Sequence, residues 1–96
     1  MYATVRRYEG VTDSAEAGRR VREGFVPLIS EMEGFIAYYW VDAGNGVMVS
    51  TSVFATQEEE QSSNEEAAGF VREHLAELFP NPPRVMEGEV VATKVA

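Results

Sequence analysis

The chain has 96 residues, no cysteine, and sixteen acidic against eight basic residues, for a net charge of -8. At 10.6 kDa it is long enough for one domain, with a folded surface of roughly 5,500 Å² against about 15,400 Å² unfolded, so a single core must hold without disulfides. The acidic balance argues against partners with phosphate backbones or anionic lipid surfaces, no apolar stretch approaches a bilayer span, and the opening residues Met1 to Arg7 lack the apolar core of a leader, so a cytoplasmic protein is expected.

Tyr2 to Tyr8 is rich in β-formers and short enough for a strand. Asp13-Ser14-Ala15-Glu16 comes next as a capping box, with Asp13 at the N-cap. Ala17, Val21, Phe25, Leu28 and Met32 then step by three or four and define one helical face. Pro27 lacks the N–H that would bond the carbonyl of Glu23, so a kink or helix end is expected beside it.

Gly34 closes the segment, and two strands are expected at Phe35 to Val41 and Val47 to Ala55. Gly44-Asn45-Gly46 between them supplies the positive φ angles of a tight hairpin. A three-residue loop ending in a Gly46 bulge pairs Val41 with Val49, Tyr39 with Thr51 and Ala37 with Val53. A two-residue Asn45-Gly46 turn shifts that register by one. The first is preferred because it keeps the β-branched residues together. Alternation places Phe35, Ala37, Tyr39 and Val41 on one face, and Ile36, Tyr38 and Trp40 on the other with Ser50 and Ser52.

Thr56-Gln57-Glu58-Glu59 is a second capping box, and the run Glu58 to Glu60 suits a helix start with a solvated face. Asn64, Ala67, Val71, Leu75 and Leu78 carry the helix to Pro80, and Val85 to Val95 reads as the last strand. The order is β-α-β-β-α-β. Right-handed crossovers place both helices on one side of a four-stranded antiparallel sheet, with the first strand central. Neither face of the second strand is polar, so the uncovered sheet face is expected to close against a second copy, as a homodimer.

Several residues could carry chemistry. His74 alone titrates near neutral pH without help; it sits at the edge of its helix's apolar stripe, either as a general base or axial ligand or as a boundary residue bonded to water. Asn64 lies near the centre of that stripe, where a buried amide needs a partner or a ligand. Tyr8, Tyr38 and Trp40 could line an aromatic pocket, or serve as core or dimer interface. One of Arg6 and Arg7 must enter the helix layer or the dimer seam, with Glu87 or Glu89 as its natural partner. One histidine and no cysteine leave no recognisable zinc site. The hairpin glycines fail the dinucleotide pattern, and no Gly-x-Ser-x-Gly elbow is present.

Arginines on an aromatic first strand, Phe25-Val26-Pro27-Leu28 ahead of Glu33-Gly34-Phe35, the glycine hairpin, and Ser62-Ser63-Asn64 midway through an acidic second helix together resemble the dimeric α+β barrel superfamily, and within it the antibiotic biosynthesis monooxygenase-like proteins. The resemblance implies a ferredoxin-like subunit whose sheet pairs with a partner's, and a pocket between helices and sheet. Chemistry in the superfamily ranges from cofactor-free oxygenation of polycyclic phenols through haem degradation to lactone isomerisation. The oxygenating and haem-degrading branches use an asparagine, a tryptophan, and a histidine or tyrosine. Asn64 and Trp40 stand on other elements than those branches use, so their roles do not transfer; His74 alone falls in the matching element. The resulting expectation is a small-ligand-binding homodimer, with no cofactor and no metal. Oxygenation would use His74 as base, Asn64 to hold the anion, and Tyr8, Tyr38 and Trp40 around the substrate. The alternatives are a non-catalytic dimerising scaffold or sensor, and a haem protein with His74 as ligand.

Overall fold

The computed structural model describes all 96 residues. Strands β1 (Tyr2–Tyr8), β2 (Phe35–Gly44), β3 (Val47–Phe54) and β4 (Arg84–Glu89) form one antiparallel sheet in the order β2-β3-β1-β4. Both helical segments lie on one face, giving the ferredoxin-like β-α-β-β-α-β subunit with β1 central. No helix is long and apolar enough to cross a membrane.

The first helical segment begins where its sequence dictates, with Asp13 Oδ1 accepting from the Glu16 N–H at 3.1 Å. Its α1 (Ser14–Arg20) passes into a wide π-helical turn, Val21–Phe25, and then into α2 (Val26–Ser30), with Pro27 in the first turn of α2. Pro27 has no N–H to give, and it follows directly on the wide turn, whose last bond runs from the Val26 N–H to the Val21 carbonyl. The wide turn uses more residues per turn than an α-helix, so steps of four stay on one face and Ala17, Val21, Phe25 and Ile29 are buried. Leu28, expected on that face, is 42% exposed; Ile29 takes its place.

The hairpin keeps the expected pairs, Val41 with Val49, Tyr39 with Thr51 and Ala37 with Val53, by different means. Asn45 and Gly46 both have positive φ (55° and 75°), as a two-residue type I′ turn requires. The odd residue is absorbed by a bulge between Asp42 and Gly44. A second bulge between Phe35 and Ala37 brings Phe35 opposite Phe54 and leaves Ile36 46% exposed. Phe35, not Ile36, therefore joins Tyr38 and Trp40 beneath the helices.

The capping box at Thr56 and Glu59 opens α3 (Gln57–Phe70), which ends in a second π-helical turn, Val71–Leu75. The expected last strand to Val95 stops at Glu89. Its only neighbour, β1, runs out at Tyr2, and the Val90 N–H to Met1 carbonyl bond at 2.9 Å is the last link. Val91 and Val95 stand exposed beyond it.

The core lies between sheet and helices and includes Tyr8, Val21, Phe25, Met48, Phe54 and Leu75. The opposite sheet face carries Val5, Ala37, Val47, Val49 and Val53, with Tyr39, Val41 and Met86 at 62%, 49% and 69% exposure.

Candidate functional site

Alternation along β1 turns Thr4, Arg6 and Tyr8 towards the helices. Tyr38 and Trp40 on β2, and Ser50 between them and β1, face the same way. Phe25 from the first wide turn and Phe70, Val71 and Leu75 from the second close over these residues, and a cavity of about 20 Å³ remains among them. That is room for about one water molecule. Both departures from α-helical pitch thus occur where the helices border the cavity, a frequent association of π-helical turns with functional sites.

The lining is chiefly aromatic. Phe25 meets Tyr38 edge-on at 5.3 Å and Phe70 at 5.3 Å, and Tyr8 lies 5.6 Å from Trp40. Trp40 also stacks on Phe79, with ring planes 2° apart. Burial pushes the Tyr8 hydroxyl above its ordinary pKa, against the opposing Arg6 charge. Tyr38 is raised by burial first and by Tyr8 next. Both phenols are therefore protonated donors at neutral pH. The Trp40 Nε1–H is buried with no acceptor.

Behind Arg6 stands a polar cluster. Arg6 Nη2 donates to Asn64 Oδ1 at 2.8 Å, and the same oxygen lies 3.1 Å from the Thr4 hydroxyl. The Asn64 amide nitrogen donates to Glu60 Oε2 at 2.7 Å and Glu87 Oε1 at 2.5 Å. Thr4 also donates to Glu60, whose other oxygen is buried and unpartnered. The expected carboxylate partner of Arg6 is thus replaced by an amide, with Glu87 one step further out. The Glu87 carboxyl is held above the usual range first by its hydrogen bond with Glu60, then by desolvation and by repulsion from Glu60.

Tyr8, Tyr38 and Trp40 are brought together around the cavity, and Asn64 stands behind its Arg6 wall. His74 is apart from them. Its side chain is 55% exposed, in an outer groove of about 490 Å³ with Arg20, Gly24 and Glu77. Phe70 borders both spaces and packs on His74 at 4.8 Å. A larger groove of about 610 Å³ runs between α1 and β2 and shares Val21, Tyr38 and Trp40 with the cavity. Glu60 escaped the sequence reading because it belongs to a run of glutamates expected to face water. Its signal was the spacing of four to Asn64, which puts both on one face. No group of three or more His, Cys, Asp or Glu side chains gathers into a potential metal site.

No protein-family model matches the chain, and no curated protein matches it in sequence. Solved structures do match in fold. A protein of unknown function from Nitrosomonas europaea superposes with a TM-score of 0.82 at 21% identity, covering 99% of this chain and 93% of that one. A monooxygenase from the gene ActVA-Orf6 of Streptomyces coelicolor, in complex with Nanaomycin D, gives 0.74 at 16% identity over 99% and 91%. SnoaB, a cofactor-independent oxygenase from Streptomyces nogalater, gives 0.73 at 14% identity over 96% and 94%. The chain has the fold of the antibiotic biosynthesis monooxygenase-like proteins.

Proposed function

We propose that the chain acts as a homodimer that binds a small, largely aromatic molecule between sheet and helices and oxygenates a phenolic substrate without a cofactor. The observation that carries this reading is the convergence of Tyr8, Tyr38 and Trp40 on one largely apolar cavity that also takes in the buried Arg6, held from behind by Asn64. The aromatic residues exclude water, and fixed donors steady the negative charge of a deprotonated substrate as it meets dioxygen. Asn64 serves by holding Arg6, since its amide nitrogen is already engaged by Glu60 and Glu87. His74 meets the cavity only across the Phe70 ring, so service as the base requires that ring to move aside.

The homodimer reading is supported by the bare sheet face. Val5, Val41, Val49 and Val53 share it with Tyr39 and Met86, and one chain exposes 6006 Å², more than the roughly 5,500 Å² its mass implies. A second copy packed sheet to sheet covers that surface with a closed, self-complementary contact.

Oxygen uptake with dihydroxynaphthoquinone-like phenols tests the chemistry in wild type, Asn64→Ala and His74→Ala. Turnover lost in Asn64→Ala and kept in His74→Ala is expected. Equal rates in all three would remove both residues from the mechanism. A second reading, a non-catalytic dimerising scaffold or sensor, is favoured by the small cavity, nearly filled by side chains such as Phe25 and Val71. Absence of both binding and uptake in wild type would select it.

A further inference from the structure

Arg6 is 9% exposed and permanently charged. It makes one side-chain hydrogen bond, to Asn64, and no salt bridge. A guanidinium has five N–H donors; Asn64 takes one, and the others keep some contact with solvent instead of a protein acceptor. Buried charges are ordinarily paired, because their desolvation is otherwise uncompensated. The one deeply buried carboxylate, Glu60, reaches Arg6 only through the Asn64 amide. Trp40 adds a donor fully closed off from solvent, its N–H facing no acceptor. Both residues border the same cavity, as do the hydroxyl-bearing Tyr8 and Tyr38. Donors there outnumber acceptors, and what would complete the set is an anion.

We infer that the cavity takes the acid group of an aromatic carboxylate, paired with Arg6 and bonded by Trp40. The inference rests on the small-molecule reading of the site and adds the charge of its ligand. A carboxylate matches the guanidinium fork with two parallel bonds, and the one-water space beside Arg6 has room for one of its oxygens. The ring system then lies in the 610 Å³ groove between α1 and β2, which meets the cavity at Val21, Tyr38 and Trp40. A free inorganic ion would use the donors and leave that groove without purpose.

Calorimetric titration at neutral pH compares hydroxynaphthoate with naphthol, which has the same rings and no carboxylate and is neutral there. Wild type is expected to bind hydroxynaphthoate about 10- to 100-fold more tightly, the range for a charge-assisted hydrogen bond. Arg6→Gln should abolish this preference, and Trp40→Phe should lower it while keeping an aromatic wall. Should Arg6→Gln fail to fold by circular dichroism, Trp40→Phe and Arg6→Lys, which keeps the charge without the fork, carry the comparison. Equal affinity of wild type for both compounds, or a preference that survives in Arg6→Gln and Trp40→Phe, overturns the inference and leaves the small-molecule reading standing. Binding of neither compound defeats the small-molecule reading, and the inference falls with it.

Discussion

Gly24 lies directly against the ring of Phe70: a β-carbon at position 24 would stand 2.9 Å from Phe70 Cε2 and 3.0 Å from Cζ. The missing side chain lets the two helical segments close at the point where Phe70 divides the inner cavity from the outer groove. Gly24→Ala has two opposed effects. Alanine favours helix by about 0.5–1 kcal/mol, whereas overpacking costs about 1–3 kcal/mol. A net loss of about 1 kcal/mol is expected in urea denaturation. The double variant Gly24→Ala/Phe70→Leu should recover it, because the obstructing ring is gone; additive losses would show that the contact does not set the spacing.

The bare sheet face predicts assembly. Wild type should sediment at twice 10.6 kDa at micromolar concentration, and the double variant Tyr39→Glu/Val49→Glu should sediment as a folded single chain. Both side chains lie on the uncovered face, so unfolding is not expected to accompany dissociation. A wild type that sediments as one chain would refute the pairing.

Two carboxyls give opposite pH signatures. The Glu87 pKa is raised above its ordinary 4.5 by Glu60, so the folded chain holds that proton more tightly than the unfolded chain. Its contribution is most favourable below pH 4.5 and declines as pH rises through the folded value. Glu16, held at about 2 by Arg19 and then Arg20, contributes above pH 4.5 and is lost as pH falls towards 2. Asn64 and Arg6 oppose the Glu87 shift without cancelling it. Glu87→Gln should therefore raise the melting temperature more at pH 7.5 than at pH 4. A gain independent of pH would contradict the shared proton.

The second capping box joins two distant parts of the chain. Glu59 bonds the Thr56 backbone at 3.2 Å and its hydroxyl at 3.0 Å, and a β-carbon on Gly34 would collide with the same carboxylate. Thr56→Ala should cost about 1 kcal/mol. Gly34→Ala should cost more, since the position also has a φ of 81°, which disfavours any side chain. Thermal melts showing Gly34→Ala to be the milder change would refute this account.

The elements legible in the sequence were those specified by neighbours a few residues apart. Asp13 with Glu16 and Thr56 with Glu59 set the helix starts, and Gly44-Asn45-Gly46 with the valine pairs set the hairpin. What escaped depended on one added residue or on a distant partner. The wide turn put Ile29 in place of Leu28, and the bulge after Phe35 put Phe35 in place of Ile36; both result from local pitch, which periodicity assumes constant. The end of β4 was set by where β1 begins, and the valines beyond Glu89 carry no sign of that. At the candidate site, the aromatic lining and the inward arginine were readable from alternation, whereas Glu60 and the amide partner of Arg6 required β1, α3 and β4 to be brought side by side.

A π-helical turn is an α-helix that has taken in one extra residue without rotating the turns beyond it. Val21–Phe25 and Val71–Leu75 are therefore places where chain length is itself adjustable. Removing a residue from within either should let ordinary pitch resume while Ile29, or Leu78, keeps its inward aim. The roof over the inner cavity could thus be reshaped by deletion as well as by substitution, leaving the floor of strands beneath it untouched.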